Sequence, residues 1–217
     1  TMEAAAPEQL PNLQYESDLD TPSVASTAVV QYPGGAYETR VRFSSVAGGS
    51  TAEANYRTYT GGLPDTWQGM TEYSANGQFA YAAANIIGKE AEFRVRWFNG
   101  DGEASYFSDV VNVPDMQIDN SVPAEPYLDV QVTNNGVGDY TFEVVAYSTA
   151  MNAVRFVLAS NQPEITPGYD GDTSPGLGYT ADGTISNGPA AITVTITATV
   201  YTSNGTPSPV ATFTYVI

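Results

Sequence analysis

Apolar and polar positions alternate with a period of two along most of this chain. Tyr37, Thr39, Val41 and Phe43 fall on one face of a run whose other face is Glu38, Arg40 and Arg42. Phe93, Val95 and Trp97 alternate with Arg94 and Arg96. Ile192, Val194, Ile196, Ala198 and Val200 alternate with Thr193, Thr195, Thr197 and Thr199. This is the signature of half-buried β-strands. Clusters that tolerate tight turns punctuate the runs: Pro33-Gly34-Gly35, Gly48-Gly49-Ser50, Gly61-Gly62-Leu63-Pro64, Asn99-Gly100-Asp101-Gly102, Asn134-Asn135-Gly136 and Asn204-Gly205. The pattern predicts strands at 24–32, 37–43, 54–59, 78–84, 93–97 and 106–113, then at 127–132, 140–147, 153–158, 192–201 and 210–217. Ala80 to Ile87 also admits a short helix, and 162–178, rich in Pro and Gly, reads as a long loop.

The pattern repeats. Phe93 to Ser105 returns in altered form as Ile196 to Ser208, with Gly102 and Gly205 separated by 103 residues. Tyr37 and Tyr140, at the heads of two earlier matching runs, stand the same distance apart. One offset shared by two separate matches implies tandem domains of like fold, and a unit of roughly 100 residues is the size of an immunoglobulin-like sandwich. The boundaries that follow are an extended acidic arm at 1–22, a first sandwich at 23–113, a linker at 114–123 and a second sandwich at 124–217. The arm carries Glu3, Glu8, Glu16, Asp18 and Asp20 with no basic residue, and too few apolar groups to fold alone.

Composition narrows the function classes. Seven basic against 24 acidic residues give a net charge of −17. Nucleic acid is disfavoured as a partner because phosphate binding needs clustered Lys and Arg, and anionic membrane surfaces are disfavoured for the same reason. No apolar run reaches the 18 or so residues of a membrane helix. Without Cys or His, the chain lacks disulfides, thiolate nucleophiles and the usual general base near neutral pH. The remaining acids fall mostly in turns and on exposed strand faces, so no catalytic residues and no cofactor are expected. The N-terminus has no basic or apolar targeting region. A signal peptide already removed before Thr1 and an initiator Met already removed both remain open.

The candidate sites are few. Asp170 and Asp172 in the long loop, and Asn99 and Asp101 in a hairpin, are weak calcium candidates, because none matches the spacing of a dedicated calcium loop. Arg57, Arg94 and Arg96 are expected to share the outer face of one sheet of the first sandwich, a basic stripe in a negative chain. The stripe is positioned to pair with acids such as Asp18 and Asp20 of the arm, or with a neighbouring subunit. Trp67 lies between strands, where it either plugs the sandwich or anchors a partner or sugar.

Val95 to Ser105 resembles the sixth strand, turn and seventh-strand start of a fibronectin type III domain. Phe43 falls where that family has a core tryptophan, and Tyr56 to Tyr59 is similar to its third strand. The departure is Ala91, where the family carries a corner tyrosine. The resemblance implies an all-β chain of two tandem immunoglobulin-like (fibronectin III-type) sandwiches. Fold does not give function. Domains of this kind occur on bacteriophage particles, and a non-enzymatic virion surface protein is the expectation: a capsid decoration, head-fibre or tail protein that docks on a protein lattice, such as a major capsid or tail protein, or on like subunits. Host-surface glycans are a second class of partner for the displayed domain. Two alternatives stay open: an extracellular cell-surface or filament subunit assembled by strand donation, and a carbohydrate-binding accessory module.

Overall fold

The computed structural model describes residues 18–73, 78–136, 138–186 and 191–217, and all regular secondary structure among them is β-strand. The part of the arm before Asp18 lies outside the described residues. In the first half the strands are β1 (Val24–Gln31), β2 (Tyr37–Phe43), β3 (Thr51–Thr60), the short β4 (Leu63–Pro64), β5 (Gln68–Gly69) and β6 (Thr71–Glu72), then β7 (Phe79–Ala82), β8 (Ala91–Phe98) and β9 (Val111–Val113). The second half has β10 (Tyr127–Gly136), β11 (Asp139–Tyr147), β12 (Arg155–Ser160), β13 (Tyr169–Asp172), β14 (Gly178–Ser186), β15 (Thr193–Tyr201) and β16 (Ala211–Val216).

These strands form two sandwiches of the same plan. The first has a sheet ordered β1-β2-β7-β6 facing a sheet ordered β4-β3-β8-β9, with β5 added to β3. The second has β10-β11-β14 facing β13-β12-β15-β16. Each half buries one cluster between its sheets: Val41, Phe43, Phe93, Val95 and Trp97 in the first, Phe142, Val144, Phe156, Leu158, Ile196 and Val200 in the second. Alternation explains both, since β8 buries every second residue and β15 buries Val194, Ile196, Ala198 and Val200. Phe43 meets the Trp97 ring edge-on at 5.8 Å, and the Trp97 indole N–H donates to the Ser44 carbonyl at 2.9 Å.

The 103-residue offset holds at atomic detail. After β8 the Ser105 amide donates to the Trp97 carbonyl, while its Oγ accepts from the Trp97 amide at 3.0 Å and donates to the Tyr106 carbonyl. Ser208 repeats all three bonds with Val200 and Pro209. Gly102 and Gly205 supply the positive φ, 82° and 85°, that these two turns need. Because each hydroxyl satisfies a buried amide, Ser105→Ala and Ser208→Ala are expected to cost about 1–3 kcal/mol each, comparably in the two halves, as denaturant titration of the two variants would show.

Several elements differ from the expectations. Of the predicted strand at 106–113, only Val111–Val113 pairs, because Ser105 and Ser108 turn the chain back onto β8 first. The predicted loop at 162–178 contains β13, and the segment after it, Gly178–Ser186, is the long strand β14. Its Gly and Asp residues mask the alternation of Tyr179, Ala181 and Ile185, which point into the core. Phe79–Ala82 is strand, not helix. Glu38 and Arg40, on the face of β2 expected to meet solvent, are buried, and Arg40 has no exposed surface.

Candidate functional site

What covers Arg40 is the second sandwich. The guanidinium group has five N–H donors, and all of them are used. Nε donates to Glu38 Oε1 at 2.6 Å. Nη1 donates to the carbonyls of Met151 (2.9 Å) and Ala153 (2.7 Å), and Nη2 to Tyr32 Oη (2.8 Å) and the Thr173 carbonyl (3.3 Å). Two of the five bonds hold Arg40 within its own half, and three cross to the loops that end β11 and β13. Glu38 is held in turn by the Tyr73 hydroxyl.

Four further contacts lock the same joint. The Gln31 amide donates to Ser203 Oγ at 2.9 Å, and Ile118 of the linker forms a parallel bridge with Val29. Asn152 donates to the Ser121 carbonyl at 2.9 Å, and the Asn204 amide donates to the Asn120 side chain at 3.2 Å. Met116, at the head of the linker, is itself buried in the first core. Ala28, Val30 and Val154 are buried yet belong to neither core cluster, and they flank these bonds in sequence. A cleft of about 350 Å³ opens beside the joint, between Tyr32, Gly34 and Glu38 on one side and Asp172, Thr173 and Ser174 on the other.

Burial sets the electrostatics of the joint. Desolvation raises the pKa of Tyr73 and of Tyr32 above the usual phenol value, with the charge of Arg40 opposing it in both. Both hydroxyls therefore stay protonated in the folded chain to higher pH than in the unfolded one. Their contribution is complete below about pH 10 and is lost as pH rises through the folded values. Alkaline titration is expected to lower the unfolding free energy from about pH 10 upward, more steeply in the native chain than in Tyr73→Phe, as denaturant midpoints at stepped pH would show.

A second constellation lies on the outer face of β3 and β8, and here the sequence candidates meet. Arg57 pairs with Glu92 and Arg96 with Glu53, each at 2.6 Å, while Arg94 donates to Asn55. Trp67 is half-buried outside both cores, with Arg57 and Arg94 over its ring at 4.5 and 4.2 Å. Phe107 takes Arg94 and Arg96 at 3.9 and 4.5 Å. Arginine and aromatic rings thus interleave as a ladder across the sheet. Desolvation lowers the Arg94 pKa, and the like charges of Arg57 and Arg96 add to it, although Glu53 opposes them. The Tyr59 hydroxyl, 2.6 Å away, and then Arg57 hold the Glu92 carboxyl below its usual value. Asp18 and Asp20 are exposed, and among the described residues neither joins an ion pair with these arginines.

The calcium candidates serve local structure. Asn99 Oδ1 accepts the amides of Asp101 and Glu103, which shapes the hairpin turn. Asp170 forms a two-pronged pair with Arg155, and the Asp172 carbonyl accepts from Tyr169 and Tyr179. Among the described residues no group of three or more acidic side chains gathers.

The joint is the part that sequence reading missed. Period-two alternation assigned Glu38 and Arg40 to solvent because alternation cannot register a second domain covering that face. The repeat held a signal. The positions 103 residues on are Thr141 and Glu143, so the Glu-x-Arg pair belongs to one copy only, where a solvent face common to both would not require it.

No protein family and no curated protein matches the chain. Among solved structures, chicken CNTN1 FN1–FN3 domains are similar over 91% of this chain at 14% identity and a TM-score of 0.27, and this chain spans 64% of that one. The alpha chain of the chicken interferon gamma receptor is similar over 91% of this chain and 98% of its own, at 12% identity and a TM-score of 0.27. The strand order carries the assignment: three strands ordered β10-β11-β14 against four ordered β13-β12-β15-β16, with the first half on the same plan. The chain is a tandem pair of fibronectin III-type sandwiches. That fold is compatible with a non-enzymatic structural or adhesive role.

Proposed function

We propose that this chain is a non-enzymatic structural protein that docks through its first sandwich and holds its second at a fixed angle for display. The observation that carries the reading is Arg40, whose five donors span both sandwiches with no exposed surface. Domains joined by a linker move relative to one another by default. Opening the joint would break the three bonds that Arg40 makes to the carbonyls of Met151, Ala153 and Thr173. A fixed angle has value where orientation matters, as on a particle surface or in an adhesive stalk. The docking face is the arginine–aromatic ladder of Arg57, Trp67, Arg94 and Arg96, since the second sandwich has Arg155 as its one basic residue.

The setting we favour is the surface of a virus particle, with a lattice protein as the partner. Its support is the strongly acidic, cysteine-free composition. The test is density-gradient fractionation of particles from the source culture with quantitative mass spectrometry. The chain should band with particles at a fixed ratio to the lattice protein, and should leave them when Arg94 and Arg96 are replaced by Glu. Recovery only in the particle-free fraction would contradict the virion setting.

A further inference from the structure

On the outer face of β3 and β8 the three arginines stand in three successive cross-strand rows, and one row is incomplete. Glu53 lies opposite Arg96, Asn55 opposite Arg94 and Arg57 opposite Glu92. The two flanking rows each close an ion pair at 2.6 Å. In the middle row an amide stands where the others have a carboxylate. Asn55 accepts from Arg94 Nε at 3.3 Å and brings no charge. Both neighbouring carboxylates are engaged: Glu53 takes Arg96, and Glu92 takes Arg57 and the Tyr59 hydroxyl. Among the described residues Arg94 therefore joins no ion pair, and its hydrogen bond leaves from Nε. Its two Nη groups, four donors in a planar fork, remain for a ligand. Seven basic residues face 24 acidic ones in this chain, so a cation without a carboxylate is the exception.

The fork is held ready. The Trp67 and Phe107 rings lie 4.2 and 3.9 Å from the Arg94 guanidinium carbon, and all three side chains are half-buried. Packing of this kind reduces the side-chain entropy lost on binding. The like charges of Arg57 and Arg96 work against the Arg94 cation, and an incoming carboxylate would offset them. Leu63, Tyr106 and Val110 are exposed and flank Trp67 and Phe107 in sequence. Exposed apolar groups around a charged centre suit a protein surface as the partner.

We propose that Arg94 receives one carboxylate of the docking partner, an aspartate or glutamate side chain on a protein surface, which completes the row that Asn55 leaves open. The inference rests on the reading of this face as the docking face and names the group it docks on. The carboxylate meets the Nη groups through charge-assisted hydrogen bonds, the stronger kind for this pair of ions.

Nuclear magnetic resonance of the full chain tests the site without the partner. Sodium acetate should shift the Arg94 Nε–H signal where sodium chloride at equal ionic strength does not. Asn55→Asp supplies the missing charge from within the chain at nearly the same side-chain shape, and should abolish the shift. Arg94→Gln, at a position outside both cores, removes the fork itself. Particles from the source culture, washed free of the chain, should rebind the native chain and should bind each variant about tenfold more weakly or worse. The proposal is overturned if the native chain shows no acetate-specific shift, or if the shift persists in Asn55→Asp. It is also overturned if the shift emerges only after Glu3, Glu8 and Glu16 are replaced by Gln, because the arm would then hold Arg94. Native-like rebinding of either variant overturns it while leaving docking through the first sandwich intact. Particles that take up none of the native chain contradict the docking reading itself, and the proposal falls with it.

Discussion

Replacing Arg40 with Met lowers the unfolding free energy by about 3–5 kcal/mol, the cost of leaving a buried partner without its counter-charge. The loss has two sources. Glu38 keeps a carboxylate in a site that is 9% exposed, with the Tyr73 hydroxyl as its remaining strong donor. The carbonyls of Met151, Ala153 and Thr173 lose the donors that reach across the joint. The first source destabilises one sandwich, and the second uncouples the two. Adding Glu38→Gln separates them: the double variant should recover much of the stability, since no charge is left buried, while the interdomain bonds stay lost. A double variant as unstable as the single one would place the whole cost at the joint carbonyls. Calorimetry supplies both readings, because uncoupling splits one transition into two.

The second large effect is expected at Gly183. A methyl group there would overlap the carbonyl oxygen of Glu164 and stand 2.7 Å from its carbonyl carbon and 2.8 Å from the Ile165 Cα. These are backbone atoms, and the segment is pinned across β14 by reciprocal bonds between Thr166 and Asp182 at 2.9 Å. Gly183→Ala must therefore push the 161–168 segment away from the sheet, at about 1–3 kcal/mol or more. Gly178→Ala, on the same strand with open space around it, should change stability by less than about 0.5 kcal/mol. Denaturant midpoints of the two variants compare the effects directly, and equal midpoints would mean that the close approach does not exist in solution.

The sandwich plan was legible because its cause is local. Alternation in β2, β8 and β15, together with turn residues at Gly102 and Gly205, specifies strands whatever surrounds them. Because the two halves repeat at one offset, the plan could be read twice. Elements set by contact between distant segments were less legible. β14 carries Gly178, Asp182 and Gly183 in a strand, and Gly183 is there because a loop crosses it. The joint was hidden for a related reason: Glu38 and Arg40 look like a solvent face until a second domain covers them. On the outer face of β3 and β8 the sequence did place Arg57, Arg94 and Arg96 together, through strand adjacency. It gave no indication that Trp67 and Phe107 would lie against their guanidinium groups, since both come from irregular segments.

The central claim is that Arg40 fixes one sandwich relative to the other. The chain has no native Cys, so spin labels can be placed at Thr71→Cys on β6 and Thr180→Cys on β14, both at exposed positions. Pulsed electron resonance between them should give a single narrow distance distribution in the native chain and a broad one in Arg40→Met. A broad distribution in the native chain, or a narrow one that survives the substitution, would contradict the account.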